Sequence, residues 1–339
     1  MTAKSSLPRT LLTVALVAVA GVVLLSFPSW LPPYYLTTVI RILFYSMLAM
    51  SLSFLAGQGG MVSLTQTGLF GFAAYALAIL SLHYKLPFPY PLLIALAGTL
   101  VVALAFGLIS IRTYGTYFLI LTLALGQILW AIAQQWTSVT EGFDGIQGTR
   151  APILGGISFQ EPANFYWVLL VVFLACFFLL RAVVRSPLGL ALRGTRDSHV
   201  RMSALGFSVA RIRLTAFMIA AVPAALAGTF FVQFTGIITP VTLDLERTVW
   251  ILLIVILGGV GNLGGTVIGV FIALMFEVVV TRFTDRYLTA MGITFLLLVL
   301  FAPNGITGAI EGLKRRFDRR RRGASDPAPT SGPPGRGPS

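Results

Sequence analysis

Residues 91–111 read PLLIALAGTLVVALAFGLISI, a continuous run of 21 positions without a charged side chain. A helix needs about 20 apolar residues to cross the hydrocarbon layer of a membrane, and this run is long enough. Runs of the same kind recur along the chain and predict ten membrane-spanning segments, at residues 11–27, 35–55, 61–82, 91–111, 115–136, 164–180, 214–238, 248–260, 264–280 and 287–301. The predicted fold class is therefore an all-α, polytopic transmembrane helical bundle.

Charged residues are almost absent from these segments. Arg41 and Glu277 are the only ones, and each lies near an end of its segment, where a polar side chain reaches the membrane interface. Segments 248–260 and 264–280 are short and share the glycine-rich stretch 258–265, so they are either two thin spans or one re-entrant hairpin. The bundle accordingly has about 8–10 spans.

The composition of the chain excludes the common soluble classes. Of its 339 residues, 57% are hydrophobic and 10% are charged, whereas a soluble domain carries roughly 25% charged residues on its surface. The low fraction of charged residues excludes a soluble two-domain enzyme, and the high fraction of hydrophobic residues excludes a disordered chain. Cys176 is the single cysteine, which excludes a disulfide-stapled protein.

The distribution of Lys and Arg predicts the orientation, because cytoplasmic loops carry an excess of both residues. If the N-terminus is cytoplasmic and the segments alternate, the inner loops and tail contain 18 of the 24 basic residues, and the outer loops contain five. We therefore predict that both termini are cytoplasmic.

The same topology divides the chain into regions. Residues 1–310 form the predicted transmembrane domain, with an outer loop at 137–163 and a cytoplasmic loop at 185–211. The outer loop is either simply solvated or a docking surface for an extracytoplasmic partner. Residues 311–339 form a basic tail rich in Pro, Gly and Ser, which is not expected to fold. A basic run directly after a final span favours anionic lipid over nucleic acid as its partner.

The cytoplasmic loop has the pattern of a short surface helix. Pro187 favours a helix start and Gly206 a helix end. Between them, an apolar stripe at helical spacing lies beside several arginines. We expect the apolar side of this helix to pack on the bundle and its exposed side to contact another protein.

Catalytic and metal-binding patterns are missing from the sequence. The two histidines, His83 and His199, lie in predicted loops, and Glu277 is the only acid within a predicted span. The chain has no Gly-x-x-x-x-Gly-Lys-Ser/Thr phosphate loop, so any ATP hydrolysis belongs to another chain. We expect neither an enzyme nor a cofactor.

Two glycine-rich interruptions stand out among the spans. The first glycine break is residues 57–60 (GQGG), and the second glycine break is residues 258–265 (GGVGNLGG). Such interruptions either allow helices to pack closely or free backbone groups to line a polar pathway. Ser63 and Gln66 follow the first break closely and add uncharged polar groups.

Several motifs occur together in a characteristic order. They are GQGGMVSL at 57–64, FGFAAY at 70–75, GTYFLILTLA at 115–124, TEGFDGI at 140–146, SPLG at 186–189, ALG at 204–206, LGGVGNLGG at 257–265 and FAPNGITG at 301–308. In this order and spacing the sequence resembles the LivM-type permeases of bacterial branched-chain amino-acid ABC importers. Two departures are Thr65-Gln66, where the family usually has Gly-His, and the absence of acidic residues before Ala204.

The resemblance implies a multi-pass permease subunit of the bacterial plasma (inner) membrane. It implies four further components: a second homologous permease, two cytoplasmic ATP-binding subunits and an extracytoplasmic solute-binding protein. It also implies site residues. Those coupling to the ATPase would be Arg193, Arg196, Asp197, Ala204 and Gly206. The translocation path would include Gln58, Gly59, Ser63 and Gln66. The hinge or packing residues would be Gly258, Gly259 and Gly261.

Two other classes of protein remain as alternatives. A stand-alone secondary carrier or channel for a small polar solute would not need an arginine-rich inner helix, and a membrane enzyme would need site chemistry that the spans lack. Within the resemblance, the substrate is a leucine-type amino acid, urea, or another small amide or acid.

Overall fold

The computed structural model describes residues 33–154, 157–281 and 292. The predicted segments 11–27 and 287–301 and the basic tail 311–339 lie outside the described residues.

Within the described residues the chain is almost entirely helical. The helices are α1 (Pro33–Gly59), α2 (Thr65–Leu82), α3 (Tyr90–Ser110), α4 (Gly115–Gln135), α5 (Thr137–Thr140), α6 (Pro162–Arg185), α7 (Pro187–Asp197), α8 (His199–Ala204), α9 (Val209–Thr235), α10 (Leu245–Gly258) and α11 (Leu263–Val280). Seven helices of this described part, namely α1, α2, α3, α4, α6, α9 and α11, are long and apolar enough to cross a membrane. The predicted all-α polytopic fold is confirmed.

Residues 248–280, predicted as two thin spans or one re-entrant hairpin, lie in two helices, and the choice between these alternatives stays a prediction. α10 and α11 are separate helices that pack against each other and are joined by four residues. α11 is long enough to cross a membrane, whereas α10 has 14 residues and a length of about 21 Å, shorter than the roughly 30 Å hydrocarbon layer. A 3-10 turn, Pro240–Leu243, precedes α10 and packs against α2 and α4, so this part of the chain enters the bundle before α10 begins.

α1 and α9 form the centre of the bundle. α9 packs against α1, α2 and α3, while α1 also contacts α6, α7 and α11. Small residues allow this close packing: a Cβ at Gly228 of α9 would lie 1.9 Å from the carbonyl oxygen of Phe70 in α2. The outer helices instead expose large apolar side chains, such as Val101, Val171 and Phe178, as expected where lipid or another subunit surrounds the protein.

A small β-structured cap covers one end of the bundle. β1 (Ile146–Gln147) pairs antiparallel with β4 (Ile237–Ile238), and β2 (Ile153–Leu154) pairs antiparallel with β3 (Ile157–Ser158). We call this end of the bundle the strand end. Residues 137–163, predicted as an outer loop, contribute α5 and three of these four strands, and 155–156 lie outside the described residues.

The opposite end, which we call the break end, brings together the segments that were predicted to share one side of the membrane. Gln58 of the first glycine break contacts Arg193 of α7. The turn after α3 contacts α9, because Arg213 donates to the carbonyl oxygens of Ile111 and Thr113. The assignment of the break end to the cytoplasm stays a prediction.

Candidate translocation and coupling site

The two glycine breaks, which are about 200 residues apart in sequence, touch at the break end. A Cβ at Gly57 would lie 1.9 Å from the Cα of Gly261, so only glycine fits at this crossing. Gln58 Nε2 donates to the carbonyl oxygen of Gly261 over 3.3 Å, and the N–H of Gly261 donates to Ser53 Oγ over 3.1 Å. Thr266 Oγ1 lies 2.8 Å from the same Ser53 hydroxyl. The end of α1 is therefore held against the connection between α10 and α11.

Backbone conformation explains why both breaks are rich in glycine. Gly60, which follows α1, has φ +62°, and Gly259 and Gly261 have φ +97° and +87°. Side-chain-bearing residues rarely adopt these angles. At Gly258 the reason is space, since a Cβ there would lie 2.4 Å from the carbonyl oxygen of Gly265. These contacts place the predicted hinge residues in tight packing, and a hinge role for them stays a prediction.

Arginines of the surface segment, defined as residues 187–207 (α7, α8 and the three residues that follow), are directed at the first glycine break. Arg193 Nη1 donates to Gln58 Oε1 over 2.9 Å and to the carbonyl oxygen of Val184 over 3.1 Å. Arg196 Nη1 donates to the carbonyl oxygen of Gly57. The predicted coupling residues Arg193 and Arg196 thus bind the same chain, through the part of the segment that contacts the bundle, although Arg196 itself remains exposed.

Local sequence fixes the position of the surface segment. α7 starts at Pro187, and Ser186 Oγ caps it by accepting from the N–H of Gly189 over 3.4 Å. Leu192, on the inner face, is fully buried against the bundle. The ring of His199 stacks on Tyr114, with centroids 4.4 Å apart, and this contact attaches α8 to the turn before α4.

The other half of the surface segment is exposed. It contains the remaining predicted coupling residues, Asp197, Ala204 and Gly206, together with the apolar side chains of Val200 and Leu205. Leu205 is 72% exposed. An exposed apolar ridge of this kind, with a carboxylate beside it, is suited to contact with another protein.

Polar side chains lie inside the bundle where α1, α2 and α9 meet. Ser63 and Gln66, two predicted path residues, are 0% and 1% exposed. Ser51 Oγ lies 2.8 Å from Gln66 Oε1 and 2.7 Å from the carbonyl oxygen of Ala220. Ser63 Oγ and Gln66 Nε2 have no hydrogen-bond partner. Because buried polar groups are nearly always paired, these two atoms are available to a solute or water in the core.

The predicted path residues therefore fall into two groups. Ser63 and Gln66 belong to the buried core, whereas Gln58 and Gly59 lie at the break end against the surface segment, with Gly59 close to Leu192. A translocation role for all four stays a prediction.

Sequence reasoning missed Arg213 as a structural residue, since it counted this arginine only as one more inner-loop charge. Arg213 is 4% exposed, and its Nη atoms donate to the carbonyl oxygens of Ile111 and Thr113 over 2.7 Å each. Its guanidinium also lies 4.3 Å from the ring centroid of Tyr114. A cation at the C-terminus of α3 is favoured by the helix dipole. Nothing in the local sequence distinguishes Arg213 from its exposed neighbour Arg211.

A second missed contact joins two predicted spans. Arg41 Nη2 of α1 donates to Glu277 Oε1 of α11 over 3.0 Å, so the only charged residues within the predicted spans neutralise each other. Across the described ranges, no group of three or more His, Cys, Asp or Glu side chains is placed to hold a metal ion.

An unpaired, uncharged polar core inside a polytopic helical bundle is the arrangement expected of a membrane transport protein. Comparison with known proteins agrees. Residues 34–302 match the family described as "Branched-chain amino acid transport system / permease component", and the chain belongs to this family. The predicted family and the permease function are confirmed.

Individual relatives show the same relationship. The chain is 28% identical to the high-affinity branched-chain amino acid transport system permease protein LivM of Escherichia coli (strain K12), over 77% of this chain and 67% of the relative. It is 25% identical to the probable LivM of Methanocaldococcus jannaschii, over 61% and 64%. It is also 31% identical to the E. coli (strain K12) permease protein LivH, over 43% and 47%. No solved structure matches the chain significantly.

Proposed function

We propose that this chain is one permease subunit of an ATP-binding-cassette importer for branched-chain or related small amino acids. In this proposal it works with a second homologous permease, two cytoplasmic ATP-binding subunits and an extracytoplasmic solute-binding protein. The family and the similarity to both LivM and LivH, two permease proteins named for the same kind of transport system, support a multi-subunit system.

The observation that carries the proposal is the placement of the surface segment, which binds the bundle on one side and is exposed on the other. One half of the segment is exposed and offers Asp197, Ala204, Leu205 and Gly206 to a partner. The other half binds the first glycine break, through Arg193 on Gln58 and Arg196 on the backbone of Gly57. A displacement applied to the exposed half is therefore transmitted to the end of α1.

The mechanism follows from these contacts. Closure of the ATP-binding subunits on ATP would move α7 and α8, and the two arginines would pull on the first glycine break. Because Gly57 touches Gly261, the movement would also reach the connection between α10 and α11. A rigid-body shift of these helices around the buried polar core would alternate its exposure to the two sides of the membrane.

The buried polar core would form part of the solute path. An amino-acid zwitterion can be accommodated by neutral donors and helix dipoles, without a fixed charge. Ser63 Oγ and the Gln66 amide supply unpaired polar atoms for this purpose. At the strand end, Phe143 and Ile153 are exposed on residues 137–163 and would contact the solute-binding protein.

Docking of the ATP-binding subunits is tested by a charge on the exposed ridge. In the complete complex, purified through a tag on this chain, Leu205→Glu is expected to reduce recovery of the ATP-binding subunits. Tyr84→Glu is the matched control, because Tyr84 is 70% exposed at the strand end. Equal recovery from both variants would contradict docking at this ridge.

Transmission through the arginines is tested separately. Arg196→Ala is expected to leave the recovery of ATP-binding subunits unchanged and to lower ATP-driven uptake, whereas Asp197→Ala is expected to lower recovery. Arg211→Ala removes an exposed arginine at the same end and should change neither. Normal uptake by the Arg196→Ala variant would contradict transmission of movement through this arginine. Uptake by this chain without ATP-binding subunits would contradict the proposal that it belongs to an ATP-driven importer.

A further inference from the structure

Two adjoining cavities lie at the strand end, the larger between α3, α6 and α9 and the smaller between α2, α3 and α9. The larger, of about 310 Å³, is an apolar chamber whose walls include Phe88, Phe159, Phe165, Val168 and Phe230. The smaller, of about 170 Å³, is polar at its mouth, where it is lined by Ser81 and Arg150. Phe88, Pro152 and Gln233 line both cavities, so the two share a wall.

The polar groups of these cavities are unused by the fold. Gln233 is 9% exposed, and its side-chain amide makes no hydrogen bond within the described part of the chain. Arg150 at the mouth likewise forms no ion pair or hydrogen bond with the described residues. Because Gln233 lines both cavities and its amide has no partner among the described residues, both its carbonyl oxygen and its amide N–H are available to a ligand there.

The arrangement fits one kind of ligand. An apolar chamber with a few placed polar groups is the usual form of a small-molecule site. The guanidinium of arginine binds carboxylates through paired, charge-assisted hydrogen bonds. Pro91, which lies in the first turn of α3, also lines the mouth, so the positive end of this helix dipole adds to the attraction for an anion.

We propose that these cavities form a binding site for the transported solute, an aliphatic amino acid. The carboxylate binds Arg150, the ammonium group donates to the carbonyl oxygen of Gln233, and the branched side chain occupies the phenylalanine chamber. The inference rests on the proposed function and adds to it a site for the substrate on this subunit, separate from the buried polar core.

The position of the cavities favours a small solute over a lipid. Arg150, Pro152 and Phe159 belong to residues 137–163, so the cap at the strand end forms one wall of the site. A chamber of about 310 Å³ accommodates a leucine side chain and is too small for a full acyl chain. The site therefore lies where a solute released at the strand end would enter the bundle.

Direct binding of labelled leucine to the complete complex in detergent, without the solute-binding protein, tests the site. Arg150→Gln is expected to weaken leucine binding at least tenfold, as the loss of a charge-assisted hydrogen bond of about 1.5–3 kcal/mol implies. Lys85→Gln, which removes an exposed cation at the same end outside the cavities, should leave binding unchanged. Gln233→Leu should weaken leucine binding, and should weaken binding of 4-methylpentanoate, which lacks the ammonium group, less.

Selectivity gives an independent readout. Val168→Phe fills the chamber and is expected to lower the affinity for leucine while alanine binding is retained. Equal leucine affinity in wild type, Arg150→Gln and Val168→Phe would overturn the proposal. Loss of co-purified anionic phospholipid in Arg150→Gln, with unchanged leucine binding, would also overturn it and assign the cavity to lipid. Neither result affects the proposed function, which fails if the wild-type complex does not import amino acids with ATP, or if this chain imports them without the ATP-binding subunits.

Discussion

Substitution of Gly57 by alanine is the sharpest test of the contact between the two glycine breaks. The new Cβ would lie 1.9 Å from the Cα of Gly261, whereas carbon atoms in contact are about 3.5–4.0 Å apart. Both atoms that clash are fixed to backbone, so α1 and the α10–α11 connection must separate by about 1.5–2 Å. Overpacking of this kind costs about 1–3 kcal/mol.

Separation also breaks the hydrogen bonds that Gly261 makes with Gln58 and Ser53. At about 1 kcal/mol each, their loss raises the expected destabilisation to about 3–5 kcal/mol. With roughly 2 °C per kcal/mol, the thermal midpoint of the purified complex should fall by about 6–10 °C. Uptake should fall as well, because the contact lies on the proposed route of transmission.

Gly264→Ala is the matched control, since its Cβ would meet no atom closer than Asn262 Oδ1 at 3.7 Å. Both variants add one methyl group to a glycine of the same region, so only the crossing distinguishes them. If the thermal midpoint of the Gly57→Ala complex lies within about 1–2 °C of that of the Gly264→Ala complex, which corresponds to less than about 1 kcal/mol, the close contact of the two breaks is refuted.

Three further predictions concern the bundle itself. Gly228→Ala should lower the thermal midpoint by the equivalent of about 1–3 kcal/mol, while Gly98→Ala, with no atom nearer than 3.9 Å, should not; equal midpoints would contradict the close packing of α2 and α9. Arg213→Lys keeps the charge but not the forked donor geometry, so at least one charge-assisted hydrogen bond of about 1.5–3 kcal/mol should be lost and the thermal midpoint should fall. An unchanged midpoint would show that the positive charge alone is enough. Glu277→Gln should destabilise more than Arg41→Leu combined with Glu277→Leu, because the single change leaves a cation unpaired between helices; the reverse order would argue against the ion pair.

Helix positions were predictable from apolar runs, and the deviations have physical causes. Segment 91–111 matches α3 to within one residue at each end. Segment 61–82 starts four residues before α2, because residues 61–64 form a buried turn and hydrophobicity alone does not separate a buried turn from a helix. Segment 214–238 starts five residues after the first residue of α9, because the apolar run was taken to begin after the charged Arg213. In the structure Arg213 lies inside the helix, and backbone carbonyl oxygens satisfy its charge.

The candidate site was predictable in composition but not in contacts. The glycine breaks and the surface helix follow from sequence pattern. Their mutual contact does not, because nothing in either pattern indicates a partner about 200 residues away. The pattern also does not say which face each arginine occupies, so the contacts of Arg193 with Gln58 and of Arg196 with Gly57 were not predictable, and contact of either arginine with another subunit stays a prediction.

The arginines that bind backbone carbonyl groups have a consequence for the evolution of the chain. Arg196 and Arg213 use the oxygens of Gly57, Ile111 and Thr113 as acceptors, and every amino acid carries such an oxygen. Mutation at the accepting positions therefore does not remove the acceptor, and these contacts leave no correlated pair of side chains in an alignment. Gly57 is constrained separately by its contact with Gly261. For the hydrogen bonds themselves, only the arginine donor needs a particular side chain, so each of these links between distant helices depends on one side chain rather than on a matched pair.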